Sequence, residues 1–375
     1  MTEQFNTKHI SHNPIAKGPS QCPTIQWAFQ VGIKNTADDD FYHQPIIANG
    51  TVYALTVNQT LYALNAKTGE ERWRFHEPAD TTLGPTFSDG MLYFAVDTGL
   101  KAFDVRSRSE HWYYSFGYES GKGLDRDDYL PADVPTLAEG FVYVGTGGGV
   151  IHAVNIASGE GAWTFSVPAD RPPGYPTVEG LDYNSIAGPI TVSDGRVFAS
   201  SWNGRVYALD AKTGELHWEY NTNDQLEGAV TVDNDTVYAT GDQNVFAIDM
   251  DGGTLRWKLN GPEEDDDVAR GSPAVANGTL YVGRGTSIEN LKLAAVNTAD
   301  GSIQWETRAR LQQQAHPSIA NGVVYVPARR LLALDAETGD ILWAYDHQST
   351  IGGAPPIVDD VLFAGDWSGR LVAIS

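Results

Sequence analysis

Short apolar runs of about five residues, separated by polar turns, fill this 375-residue chain, and one arrangement of them returns at a period near forty-five residues. Runs of that length flanked by turn residues are strand signals. Each return holds four of them. The first lies in segments such as Gly-Pro-Ile-Thr-Val at 188–192 and Ser-Pro-Ala-Val-Ala at 272–276. A two-residue turn follows, at Asn49-Gly50, Asp89-Gly90, Glu139-Gly140, Asp194-Gly195, Asn234-Asp235, Asn277-Gly278, Asn321-Gly322 and Asp359-Asp360. Asn-Gly and Asp-Gly supply the positive φ that a tight hairpin needs. The second run carries an apolar–aromatic pair, at Val52-Tyr53, Leu92-Tyr93, Val142-Tyr143, Val197-Phe198, Val237-Tyr238, Leu280-Tyr281, Val324-Tyr325 and Leu362-Phe363. The third ends in Ala-apolar-Asp/Asn, as at Ala63-Leu64-Asn65 and Ala153-Val154-Asn155. A turn ending in glycine then leads to the fourth run and its tryptophan.

Those tryptophans are Trp27, Trp73, Trp112, Trp163, Trp218, Trp257, Trp305 and Trp343. A strand-rich period of this length predicts an all-β fold, an eight-bladed β-propeller of four-stranded antiparallel blades. Each tryptophan is expected to dock on the adjoining turn and lock neighbouring blades, a structural role worth ~3–5 kcal/mol on truncation. The second repeat departs from the pattern: Val105 to Glu110 has no glycine, which predicts a turn built differently. The last repeat runs to Ala373-Ile374-Ser375, where its fourth strand should begin, while Trp27 stands ahead of the first complete unit. The strand within residues 23–32 is therefore predicted to complete the last blade and close the ring, which removes an exposed sheet edge. Residues 1–22 are expected to form an arm, and residues 23–375 a single propeller.

Composition narrows the possible partners. The formal net charge is −23, and of 25 basic residues only 9 are Lys. Such a surface repels nucleic-acid phosphates and anionic membranes, so neither is an expected partner. Excess Asp with scarce Lys fits a halophile, where salt screens the self-repulsion. Cys22 is the only cysteine, which excludes an intramolecular disulfide and any CxxC motif. As written, the start has no apolar signal core and no membrane span, so a cytoplasmic monomer is expected, or an extracytoplasmic protein if the start is trimmed or misplaced.

Units such as Tyr207 to Trp218 resemble the PQQ-like (quinoprotein-type) propeller repeat family, and the resemblance covers nearly everything from Trp27 to Ser375. Within it the chain is most similar to the bare eight-bladed propellers of BamB type, in haloarchaeal dress. The resemblance implies the fold strongly and activity weakly. Enzymes of the family hold pyrroloquinoline quinone (PQQ) and calcium beside a vicinal cysteine pair and an Asp base. A single cysteine excludes that pair, and the large insertions of the dehydrogenases are missing, so neither PQQ nor calcium is expected.

Loop lengths point to one face. The connections Trp112–Val134, Trp163–Gly188, Trp27–His43 and Trp257–Gly271 are longer than Trp218–Gly228 and Trp343–Gly353. In an up-and-down blade these links leave on the same side as the turns between second and third strands. Long loops on a rigid scaffold are where binding usually resides. They carry Tyr118, Arg126, Asp127, Asp128 and Tyr129, then Arg171, Tyr175, Tyr183 and Asn184, and Arg270; the bland reading is that these side chains pack the loops down. Trp202 and Trp367 lie outside the docking series, in turns of matching form, Trp-Asn-Gly-Arg and Trp-Ser-Gly-Arg, where they either stack on a ligand or pack the turn. His316 precedes a first strand. The three aspartates at 125, 127 and 128 lack the glycine and distal Glu of a calcium loop, so no metal site is expected. The sequence thus predicts a non-catalytic scaffold that binds a protein or peptide through Tyr118, Arg126, Asp128, Tyr129, Arg171, Tyr183, Trp202, Arg270, His316 and Trp367. The alternative is a degenerate PQQ- and calcium-dependent oxidoreductase.

Overall fold

A computed structural model of the chain describes all residues except 1–22, 32–40, 42–43, 77–83, 97, 118–132, 176–182, 262–270, 285–290, 310–315, 329, 348, 350 and 352. The described strands form eight four-stranded antiparallel sheets, the blades of a β-propeller. Blade 1 runs Ile46–Ala48, Thr51–Leu55, Thr60–Asn65 and Glu71–His76, and the others repeat this order. Blade 8 takes its outer strand from Ile25–Gln30, which pairs with Arg370–Ile374. The strands divide between two compact units: blades 1, 6, 7 and 8 lie in Ser11–Phe87 with Ala274–Ser375, and blades 3 to 5 lie in Ser88–Pro273. Among the described residues, no helix is long and apolar enough to cross a membrane.

Burial follows from a blade having neighbours on both faces. The two middle strands, such as Thr51–Leu55 and Thr60–Asn65, are buried almost throughout, whereas the outer strand Glu71–His76 alternates exposed and half-buried positions. Two-sided burial requires a continuous apolar run, and one-sided burial an alternation. First strands are shorter than the sequence suggests, Thr191–Ser193 and Ala274–Ala276 instead of 188–192 and 272–276. Gly188 at φ 121° and Gly271 at φ 105° turn the backbone out of strand geometry. Pro189 and Pro273 have no N–H for the ladder.

Every docking tryptophan sits in the same frame. Each stands opposite an alanine of the third strand, from Ala373 facing Trp27 and Ala63 facing Trp73 to Ala333 facing Trp343. The alanine makes room for the indole, and a register shift follows it in the ladder. The second-strand aromatic packs on the same ring, with Tyr53–Trp73 centroids at 5.9 Å and Tyr325–Trp343 at 5.8 Å. The indole N–H then reaches the next blade: Trp27 Nε1 donates to Ala66 O at 2.9 Å, Trp163 to Ala211 O at 3.0 Å and Trp305 to Ala336 O at 3.1 Å. At Gly69 the accepting turn favours glycine on two counts. Gly69 has φ 70°, and a Cβ there would lie 2.6 Å from Trp27 Cε3.

The second repeat corrects the sequence reading. Its turn is built like the others, with Arg108 at φ 56° in the glycine's place. Arg108 N donates to Asp104 O at 2.8 Å, as Gly69 N does to Asn65 O. The Asp104 carboxylate caps the turn through Arg106 N and Ser107 N, and those bonds hold its pKa below the usual range.

Candidate functional site

The long connection after blade 3 is the best-defined element on the predicted binding side. It leaves the outer strand Gly161–Ser166, and its described parts, 167–175 and 183–190, lie against blades 3 to 5. Asn203, only 2% exposed, donates from Nδ2 to Pro168 O at 3.0 Å and to the Tyr207 hydroxyl at 2.8 Å. Arg205 pairs with Asp170 at 3.0 Å and with Glu219 at 2.8 Å. Further along, Trp202 N donates to Ser185 O at 2.9 Å, Ser201 Oγ to Asn184 O at 3.0 Å, and Asn184 Nδ2 to Gly148 O at 2.9 Å. Both the Gly148 turn of blade 3 and the Trp202 turn of blade 4 join second to third strands. Within these blades, the connection and those turns therefore share one side.

Tyr175 carries the connection to blade 5. Its hydroxyl lies 3.1 Å from Asp224 Oδ1 and 3.1 Å from Asp242 Oδ2, and it accepts the Gln225 N–H at 3.1 Å. Asp224, 3% exposed, also accepts from Gln243 N at 3.1 Å and Asn244 Nδ2 at 2.9 Å. Burial, reinforced by the two carboxylates and opposed by the Gln225 N–H, raises the tyrosine pKa far above its ordinary value, so the phenol stays protonated and donates. Tyr183, 5% exposed, packs edge-on against Tyr175 at 6.3 Å.

The predicted residues therefore separate. Tyr183 is buried in the loop's own packing, and Arg171 is exposed on its outer surface. Trp202 is half-buried against the core shared by blades 4 and 5, whereas Trp367, in the blade 8 turn, is 40% exposed. His316 is half-buried, and burial lowers its pKa to about 4, so it is neutral at pH 7. Tyr118, Arg126, Asp128, Tyr129 and Arg270 lie outside the described residues. Among the described residues no cluster of three or more His, Cys, Asp or Glu side chains is placed to hold a metal ion.

Sequence reasoning singled out Tyr175 but not its partners, and it missed Asn203, Asp224 and Asp242. It also missed a set of hydroxyl staples at the first strands. Thr136 Oγ1 donates to Ile190 O and Thr191 Oγ1 to Val230 O, each at 2.6 Å, and Thr231 Oγ1 reaches Pro273 O. The signal was available: Thr opens the first strand at 136, 191 and 231, and Ser at 318 makes the same bond to Pro355 O at 2.8 Å.

The chain belongs to the family described as outer membrane protein assembly factor BamB, whose profile matches residues 24–174, 177–312 and 242–375. BamB of Moranella endobia is 26% identical over 368 residues, 93% of this chain and 79% of that protein. The quinohemoprotein alcohol dehydrogenase of Comamonas testosteroni is 24% identical over 326 residues; the match takes in 76% of this chain and only 42% of the dehydrogenase. Among solved structures, BamB from Moraxella catarrhalis superposes with a TM-score of 0.71 at 16% identity, covering 94% of this chain and 99% of that one. At that identity the likeness shows the fold.

Proposed function

With BamB-family membership as the premise, we propose that this chain is a non-catalytic scaffold that binds a protein or peptide partner on the side bearing its long inter-blade connections. One observation carries the reading. The described parts of this connection, residues 168–175 and 183–187, are pinned to blade 3 through Asn184, to blade 4 through Asn203 and Arg205 and to blade 5 through Tyr175, and Arg171 on them is exposed. Segments held this firmly are preorganised, so little ordering entropy of theirs opposes association. The family name, an assembly factor, supports a protein partner.

The quinone-dependent reading draws on the dehydrogenase relative. This chain does not fit the group: one cysteine in 375 residues cannot form the vicinal pair that the resemblance implies beside PQQ. No cofactor is therefore proposed. The two readings part in one experiment. A photo-crosslinker is placed at Arg171 or Trp367, with Lys67 and Lys212 beside the Thr-Gly turns as controls, and the protein is expressed in its own cells. A discrete protein adduct from the first pair alone is expected. Adducts confined to Lys67 and Lys212 would place the partner on the other side. Stoichiometric quinone absorbance after reconstitution with PQQ and calcium would overturn the scaffold reading.

A further inference from the structure

The closing strand of blade 8 differs from every other outer strand in how it is attached. In blade 1, residues 66–70 join the third strand to the outer one, and the Asn65 side chain caps that turn through Lys67 N at 2.9 Å. Blade 8 has no such covalent turn. Its place is taken by two hydrogen bonds, Thr24 N to Ser375 O at 2.8 Å and Ser375 N to Thr24 O at 3.0 Å. Specificity comes from side chains. Trp27, 7% exposed, bonds Ala66 O at 2.9 Å and lies over Gly69, while Phe29 packs on Tyr62 with centroids 5.4 Å apart. Gln30 Nε2 donates to Ser368 O at 2.8 Å. Ile25, Gln26, Ala28 and Gln30 are exposed, and nothing between Pro23 and Val31 is charged.

We propose that this slot also accepts its strand in trans, from the Ile25–Gln30 segment of a second copy of the chain. The incoming strand makes the contacts the native strand gives up, so exchange is nearly balanced in energy, as in domain swapping. Val31 and Phe41, bonded to Gly369 O and Asp366 O, must leave with the strand, and the chain from 31 to 45 then spans up to about 50 Å when extended, enough to reach a copy in contact. The tethered strand has the advantage of a local concentration on the order of millimolar, so exchange is a feature of crowded protein. Two chains of net charge −23 also repel each other, so exchange between copies is salt-gated, whereas an uncharged peptide meets no such barrier.

The test uses the full chain and a fluorescent, end-capped peptide of residues 23–31. Uptake at least tenfold greater by a Trp27→Ala chain than by the native chain is expected, because the variant's own strand is weakened. A peptide carrying Trp27→Ala should not be taken up by either chain. Phe29→Ala weakens the same strand more mildly and serves if Trp27→Ala fails to fold. Mixed copies bearing two labels should exchange more as salt rises toward ~2 M, well past the Debye range, with peptide uptake flat. Failure of both weakened chains to take up the native peptide, or equal uptake of the substituted peptide, overturns the slot. Peptide uptake without any exchange between copies at high salt overturns the second copy as its occupant.

Discussion

Two turns of the same form, Trp202-Asn203-Gly204-Arg205 in blade 4 and Trp367-Ser368-Gly369-Arg370 in blade 8, are held by different partners. The blade 4 turn is braced from outside: Asn203 and Arg205 reach Pro168 and Asp170 in the inserted connection, and Trp202 N bonds Ser185 O. The blade 8 turn is braced from within by its own aspartate, with the closing strand behind it. Asp366, 3% exposed, accepts from Ser368 N at 2.9 Å, Ser368 Oγ at 2.6 Å and Arg370 N at 3.1 Å. Trp367 in the self-capped turn is 40% exposed, whereas Trp202 in the turn clamped by a loop packs on the core shared by blades 4 and 5. Matching motifs thus place their tryptophans differently because of residues far away in sequence.

The largest expected effect breaks the blade 8 side of this comparison. Gln30 and Val31 also brace that turn, through Ser368 O and Gly369 O, both at 2.8 Å. Deleting residues 1–32 removes these bonds, the closing strand and Trp27, whose truncation alone is worth ~3–5 kcal/mol. A fall in Tm of about 10 °C or more is expected, given ~2–4 °C per kcal/mol for units of 150–250 residues. Hydrogen exchange should show amides 366–374 unprotected and amides 201–210 still protected. Unchanged melting would contradict a structural closing strand.

Acid strikes the unit that holds the blade 4 turn. His152, 5% exposed, lies between Phe116 at 4.7 Å and Tyr114, whose hydroxyl is 3.2 Å from Nδ1. Burial lowers its pKa from 6.5 to about 4. The folded state keeps the ring neutral while the unfolded chain protonates it below about pH 6.5. Its stabilising contribution is therefore complete above that pH and is lost as pH falls toward 4, about 3 kcal/mol in all. Urea melts at pH 7 and pH 4 should show His152→Phe losing less stability than the native chain by this amount. Equal losses would mean that the imidazole is not held neutral.

Side-chain truncation inside the two turns gives the direct contrast. Asn203→Ala leaves Pro168 O and the Tyr207 hydroxyl without a buried partner, which costs about 2 kcal/mol. Ser368→Ala forfeits one partly solvated bond to Asp366, costing about 0.5–1 kcal/mol. Denaturation midpoints at unchanged m-value would measure both. A reversed order would mean that the connection does not brace blade 4.

How much of this was legible in the sequence depends on the range of each signal. The blade count, the closing strand and the hairpins were readable because Asn-Gly pairs, alanines and tryptophans act locally and repeat. Asn49 at φ 50° with Gly50 at φ 67° adopts the two left-handed positions that the pair predicts. Beyond the tryptophan docks, the seams between blades were not readable. Tyr114 meets His152, and Phe165 meets Tyr207 at 5.7 Å, across separations where any large residue satisfies the pattern. Tyr175 finds Asp224 and Asp242 at separations of 49 and 67 residues, which no period announces. The second repeat misled because glycine was taken as necessary, whereas left-handed arginine is merely costly. Arg108→Gly should therefore stabilise the chain by about 1 kcal/mol, the usual penalty for a side chain in that region. A loss of stability would show that the arginine side chain contributes more than its backbone strain costs.

The smallest expected effect on folding is the one that bears most on function. Trp367→Ala removes an indole that is 40% exposed from a turn held by hydrogen bonds of Asp366, Gln30 and Val31. None of these bonds uses the indole, and a change within about 0.5 kcal/mol is expected, the range of surface substitutions. An exposed aromatic held on a rigid turn is the kind of anchor that dominates a binding interface. Truncating a central one costs ~2 kcal/mol or more, about a thirtyfold loss of affinity. Melting curves of Trp367→Ala should thus overlay the native curve, while titration of the crosslinked partner, once identified, shows the weaker binding. Trp202→Ala should do the reverse, lowering stability through the blade 4–5 core and affecting affinity little. Equal affinity losses from both would mean that the cover over blade 4 opens when the partner binds. Unchanged affinity for Trp367→Ala would remove blade 8 from the interface and leave the 168–187 connection to carry it.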